Sequence, residues 1–409
     1  MTKLGTILLA GLSLAAMTAG ALATDKVRIS GWGGSEVAIV NGLITDVLAD
    51  DLKAADIEVV YEPVDGDFSQ FITNALSAGT APDLFYTDIF WSRAAFKTGK
   101  VEPTTADTSP FAPNLVSAFT FDGKVMALPK DFNTLALQYN KDIFDDAGVA
   151  YPTDDETWTS LQDKLVAIHQ KLPDVNGLCV VPDYARFGAF ALGSGWKPFN
   201  AEGKTVLDDN FKRAFEFYTG LVAAGAAVPA ADVGEGWTGG CFSKELTAVA
   251  IEGAWIIGAI RDGAPNLNWG TARIPKDPTT NGAGNLIFTV GWTVNADSAV
   301  KASAQKVAEL LTSEKAQQWV LEQGLALPSR AALADNAWLA GDTPEQTVNR
   351  VVFAGLSDAN VQPFFFGDLG GAWMEPINTA INAVLLKEAD VPTALAAAQA
   401  KYDAMAPQK

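Results

Sequence analysis

The side chains able to do chemistry form an uneven set. The chain has one histidine, His169, and two cysteines, Cys179 and Cys241. Carboxylates are abundant, with 48 Asp and Glu against 29 Lys and Arg. Tryptophan is also plentiful: of eleven, several stand at the ends of predicted strands or helices beside glycine, as in Gly31-Trp32-Gly33, Gly253-Ala254-Trp255, Gly291-Trp292 and Gly370-Gly371-Ala372-Trp373. A lone imidazole supports neither a histidine triad nor an imidazole-built zinc or iron site, so no metal is expected. No Gly-x-Ser-x-Gly elbow is present. Gly203-Lys204-Thr205 would end a phosphate-binding loop, but the place of its first glycine holds Pro198, and Gly31-x-Gly33 lacks the third glycine of a dinucleotide fingerprint. No cofactor is therefore expected. Acid pairs such as Asp88 and Asp131 leave one enzymatic alternative open, an exported glycoside hydrolase with two carboxylates.

The elements that must position these residues alternate. Residues 27–30 read as a strand, 36–54 as a helix and 57–64 as a strand. Phe68, Phe71, Ile72, Ala75 and Leu76 mark one helical face, which Gly79 ends. Residues 84–86 follow as a strand. A second block repeats the style, with strands at 135–139, 178–181, 248–251 and 288–294. Its helices carry Trp158, Leu161, Leu165 and Ile168, then Phe211, Phe215, Tyr218 and Val222. The last third reads as mostly helical. Such alternation predicts an α/β fold with a largely parallel sheet. With no long linker, two α/β lobes would be joined by strand-like crossings. An oxidising compartment permits a Cys179–Cys241 disulfide, but spacing does not show that the Cβ atoms meet, and two buried thiols remain the alternative.

The N-terminus predicts export. Lys3 is followed by an uncharged run from Leu4 to Gly20 and by the small-x-small triplet Ala21-Leu22-Ala23. This is the order of a cleavable signal over 1–23, too short for a comfortable membrane span. Without it, 28 basic face 48 acidic side chains, a net charge of −20. That favours solubility and argues against nucleic acid or an anionic membrane as partner.

A set of ordered motifs carries a resemblance. It runs Gly79-Thr80-Ala81-Pro82-Asp83-Leu84, Gly99-Lys100-Val101-Glu102-Pro103, Asp122-Gly123-Lys124-Val125-Met126-Ala127-Leu128-Pro129, Tyr139-Asn140-Lys141-Asp142 with Gly148 and Thr157-Trp158, Ala248 to Trp255, and Gly324 to Arg330. In this order the chain resembles the family 1 extracellular solute-binding proteins of ABC sugar importers. The resemblance implies the type 2 periplasmic binding-protein fold, two α/β lobes with a ligand cleft between them. It implies discontinuous lobes, 24–131 plus 290–329 and 132–289 plus 330–409, with crossings near 130–134 and 283–290 and after Pro328. It also implies a periplasmic monomer that is not an enzyme, with a small carbohydrate as ligand and the permease subunits of an ABC importer as partner.

Sugar recognition needs two chemistries. Pyranose rings present apolar C–H faces that stack on aromatic side chains. Their hydroxyls need hydrogen bonds, and those to charged groups contribute ~1.5–3 kcal/mol each. Trp255 matches the family's stacking tryptophan and Trp373 resembles a second; for each the alternative is a core aromatic. Trp292 is a ligand contact or a close-packed strand residue. Trp32 and Ser35 sit where loops at strand ends border the groove. Asp88 is a sugar-binding acid or a helix N-cap. Asp131, with Asn133 beside it, faces the groove from the first crossing or caps a turn. Arg330 donates to a hydroxyl or pairs with an acid. In one place the chain departs from the family: a strand-end position often held by Trp is Thr87, leaving Phe90 or Trp91 as substitutes.

Overall fold

The computed structural model describes residues 24–324 and 326–408. The 1–23 segment read as an export signal lies outside the described residues. Among these, the strands are, in chain order, β1 (Asp25–Trp32), β2 (Ile57–Val64), β3 (Leu84–Asp88), β4 (Val101–Glu102), β5 (Thr120–Phe121), β6 (Lys124–Val125), β7 (Leu128–Asn133), β8 (Ala136–Asn140), β9 (Asn176–Val180), β10 (Ala227–Pro229), β11 (Thr247–Glu252), β12 (Trp269–Ala272), β13 (Gly284–Asn295), β14 (Leu327–Pro328) and β15 (Asn360–Pro363).

Two sheets organise the molecule. The first runs β14-β7-β13-β3-β1-β2, with β4 and β15 also pairing β13. Its β1 is parallel to β2 and β3, whereas β13 is antiparallel to β3 and β7. The second runs β10-β9-β11-β8-β12, parallel at β10-β9-β11 and antiparallel at β11-β8-β12. The sheets are thus mixed, more so than the alternation predicts.

Each sheet has its own apolar core. Val27, Ile29, Leu84, Phe85, Tyr86, Trp292 and Val307 fill the first. Leu137, Leu165, Phe187, Phe190, Phe215, Tyr218 and Ile251 fill the second, together with Phe366, Trp373 and Ile377 from the C-terminal third. A smaller cluster with Phe132, Ala136, Ile257, Leu327 and Val348 lies where the chain passes between them.

Local chemistry fixes the elements. Asp67 caps the helix Phe68–Ala78 through the Gln70 amide, and Gly79 ends it at φ 69°. The predicted 36–54 helix is broken: Glu36–Gly42 and Ala49–Ala54 are α, and Leu43–Val47 between them is a π turn. β13 contributes to both cores, Leu286 to the second and Val290, Trp292 and Val294 to the first. Its start lies so close to the helix Tyr184–Gly193 that a Cβ on Gly284 would stand 2.2 Å from the Gly193 nitrogen. Cys179 of β9 and Cys241 of the helix Thr238–Ser243 form a disulfide, with Cα atoms 6.5 Å apart.

Candidate functional site

A cleft of about 480 Å³ opens between the lobes. Trp32, Ser35, Glu36, Asp88 and Phe90 form one wall, and Asp183, Arg186, Trp237 and Trp255 the other. Lys130, Asp131 and Asn133 of β7 and Phe288, Thr289 and Val290 of β13 lie between the walls.

The first wall is organised by a bulge. Asp131 pairs with Val290 and Pro129 with Gly291, so Lys130 is the extra residue. Bulges re-aim side chains in this way. The Lys130 ammonium reaches Glu36 at 2.8 Å and Asp131 at 2.5 Å, and lies 4.9 Å from the Tyr86 ring centre. Burial works against its charge, but Asp131 and Glu36 outweigh burial and raise its pKa. Glu36 is buried as well, and burial pushes its carboxyl up against the pull of Lys130. Asp88 lies at the end of β3, where its nearest donor is the Phe90 amide at 3.4 Å. Burial pushes its carboxyl up to about 7; the Phe90 amide opposes this and Asp131 adds to it. Trp32 ends β1, half-buried and tilted on Tyr86 with ring centres 5.2 Å apart.

The second wall hangs on Glu252, the last residue of β11 and 0 % exposed. Its carboxylate accepts from the Trp255 indole N–H at 2.7 Å, Arg186 Nη2 at 2.6 Å and the Gly239 amide at 3.1 Å, and from Thr238 Oγ1. Arg186 also lies 5.5 Å from the Trp255 ring centre. Burial opposes the Arg186 charge, but Glu252 more than restores it. Arg186 Nε is buried without a hydrogen-bond partner. Gly253 lets the indole fold back: a Cβ there would stand 2.5 Å from it. Trp255 meets Phe288 edge-on at 5.3 Å, and the Asn133 carboxamide accepts from the Ala254 amide at 2.9 Å. Asn133 thereby ties the crossing strand to the Trp255 turn.

The structure brings Trp32, Ser35, Asp88, Asp131, Asn133 and Trp255 to the cleft. It does not bring the other three. Trp373 is 0 % exposed in the second core; its indole donates to Thr205 Oγ1 at 2.7 Å and stacks on Phe366 at 4.2 Å. Its neighbour Met374 lines the cleft instead. Trp292 pairs across the sheet with Tyr86, and their rings lie 4.4 Å apart in the first core. Arg330 gives Nε to the Thr312 carbonyl at 2.6 Å and covers the Phe111 ring, so its fork is spent away from the cleft. Thr87 is buried and joined to Thr293 Oγ1 at 2.6 Å; Phe90, not the buried Trp91, supplies the nearby aromatic surface.

Sequence reading passed over Glu36, Lys130, Asp183, Arg186, Trp237 and Glu252. Glu252 alone had a signal, a carboxylate closing an apolar strand just before Gly253. Among the described residues no group of three or more His, Cys, Asp or Glu is placed to hold a metal ion. No described helix is long and apolar enough to cross a membrane.

This geometry has relatives. A binding protein of Brucella abortus (strain 2308) is 26 % identical over 320 residues, covering 74 % of this chain and 76 % of that one. The maltotriose-binding protein of Pyrococcus abyssi is 25 % identical over 286 residues, 65 % of this chain and 59 % of that one. The GacH receptor of Streptomyces glaucescens, solved unliganded and in complex with acarbose, superposes with a TM-score of 0.81. It is 24 % identical and covers 93 % of this chain and 97 % of that one, a likeness of fold. The family model for bacterial extracellular solute-binding proteins matches residues 48–345. With more than half of the chain inside that match, and a cleft between two α/β lobes where such a fold places its ligand, the chain belongs to the bacterial extracellular solute-binding proteins.

Proposed function

We propose that this protein captures a small carbohydrate or polyol in the periplasm and delivers it to the permease subunits of an ABC importer. One observation carries the reading: Trp32 and Phe90 on one wall and Trp255 on the other interleave with Asp88 and Asp131. Aromatic faces suit the C–H faces of a pyranose, and carboxylates suit its hydroxyls. The names of two relatives, one binding maltotriose and one solved with acarbose, support the same class. The chain would act as a monomer, exported by its 1–23 segment.

Capture would work by population shift. Ligand contacts from both walls favour the form in which the lobes close. The lobes we assign are 24–131 plus 290–329 and 132–289 plus 330–409, turning about β7, β13 and the stretch after β14. The docked partner would read the closed form.

A glycoside hydrolase built on Asp88 and Asp131 is the less supported reading. Lys130 grips Asp131 at 2.5 Å, which suits a fixed acceptor better than a nucleophile or base. Titration calorimetry over a panel of mono-, di- and trisaccharides and polyols tests the proposal. Heat with at least one of them and no release of sugar from aryl glycosides is the expected result. Turnover lost in Asp88→Asn or Asp131→Asn would replace the proposal with the hydrolase.

A further inference from the structure

Two cations line the cleft, and both are already engaged. Lys130 is held between Glu36 and Asp131, and Arg186 is held by Glu252. Asp88 and Asp183 stand on opposite walls with no ion-pair partner among the described residues. The Asp88 carboxylate takes the Phe90 amide at 3.4 Å, and that of Asp183 takes the Ala185 amide at 2.9 Å as a helix N-cap. Four carboxylates and two cations line the cleft, and the Glu252 carboxylate lies buried behind Arg186, a net charge of −3 when all five acids are ionised. No other Lys or Arg lines the cleft among the described residues.

An anion would enter this space against its field, and low-dielectric walls strengthen the repulsion. It would also find no uncommitted guanidinium or ammonium to clasp a phosphate or carboxylate. An uncharged ring would instead donate its hydroxyls to the same carboxylates, and a protonated amine would be drawn in. We infer that the cleft selects by charge, taking a neutral or amino-substituted sugar ring and excluding the phosphorylated or uronate form of that ring. This rests on the carbohydrate reading above. Exclusion of this kind is specificity through a repulsive element. Glu252 is central to it: Arg186 would be the natural anion receptor, and the buried carboxylate cancels its charge.

The test uses the full chain at low ionic strength and pH 8. Calorimetry compares glucose with glucosamine and glucose 6-phosphate, galactose with galactosamine and galacturonate, and any neutral sugar that binds with its phosphorylated form. The anionic member of each set is expected to bind at least about a hundredfold more weakly than its neutral partner, ~2.8 kcal/mol at 1.4 kcal/mol per factor of ten. In Glu252→Gln the anionic member should gain at least about tenfold in absolute affinity, ~1.4 kcal/mol, which damage to the fold does not mimic. Should that variant fail to fold, Asp88→Asn/Asp183→Asn, which keeps the helix cap, is expected to narrow the gap in the same direction. An anionic sugar binding within tenfold of its neutral partner overturns the charge rule and leaves the carbohydrate reading standing. A saturable heat of binding for citrate or inorganic phosphate in the same calorimetry overturns the rule whether or not any sugar binds. Binding of choline with no sugar bound overturns the carbohydrate reading and keeps the rule.

Discussion

Asp88 and Asp131 are register partners of the same residue, Val290, one from each side of β13. With strands about 4.8 Å apart, their backbones stand about 10 Å from each other. The fold keeps the two acids beside the cleft by different means. Asp131 is paired with Lys130, whereas Asp88 holds its proton into the neutral range.

That difference predicts a pH signature. The Asp88 carboxyl titrates near about 7 when folded, above its ordinary value of 3.8. The folded state therefore keeps a proton that the unfolded chain releases, and the associated stability is lost as pH rises from about 4 through about 7. Asp88→Asn is expected to melt like the wild type near pH 4 and above it at pH 8. Melting curves at the two pH values check this, and coincident transitions at pH 8 would refute it.

Trp255 and Trp373 should behave as opposites. Trp255→Ala removes the stacking face and is expected to weaken sugar binding at least tenfold, while the fold loses little. Trp373→Ala opens a hole in the second core and is expected to cost about 3–5 kcal/mol of stability. Its folded fraction should bind as the wild type does. Denaturant titration beside calorimetry separates the two, and a reversed pattern would exchange their roles.

The lobes also touch outside the cleft. Asp368 accepts from Arg93 and Lys97, each at 2.9 Å, and joins the helix Ser92–Lys97, packed in the first core, to the Gly367–Trp373 turn, packed in the second. Exposed pairs of this kind contribute about 0.2–1 kcal/mol each. Asp368→Asn should enlarge the unliganded protein in small-angle scattering and weaken ligand binding up to about fivefold. About 1 M salt should erase the difference by screening. An unchanged radius of gyration at low salt would count against a bridging role.

The disulfide closes a separation of 62 residues, which the chain-entropy view values at about 4 kcal/mol. It also pins the helix whose Thr238 and Gly239 donate to Glu252. Cys179→Ser/Cys241→Ser is therefore expected to lose stability of that order and to shift the Trp255 fluorescence. Indole emission identical to that of the wild type would uncouple the bridge from the wall.

Much of the site was readable before the fold was known, and the failures have physical causes. Trp255, Asp88, Asp131 and Asn133 sit in short stretches whose order is itself informative. Trp292 and Trp373 carry the same local signal, a tryptophan within two residues of glycine. Their fate was decided by partners remote in sequence: Tyr86 packs on Trp292, and Thr205 accepts from the Trp373 indole 168 residues away. Arg186 lies on the helix Tyr184–Gly193, which is nearly buried all round and so shows no amphipathic stripe to mark an exceptional polar residue. Lys130 reaches its partners through a bulge, and β7 is buried on both faces, so it has no alternation for an inserted residue to break.

β13 ends one story and begins another. The strand that packs into both cores also lines the cleft, through Phe288, Thr289 and Val290. Thr289 is stitched to β7 by a hydroxyl bond of 2.6 Å to the Asp131 carbonyl. A guest held there, under the closure proposed above, would sit on the axle itself. Its grip need not be relayed through a lever to reach the parts that turn, and any change to this stretch would alter occupancy and motion together.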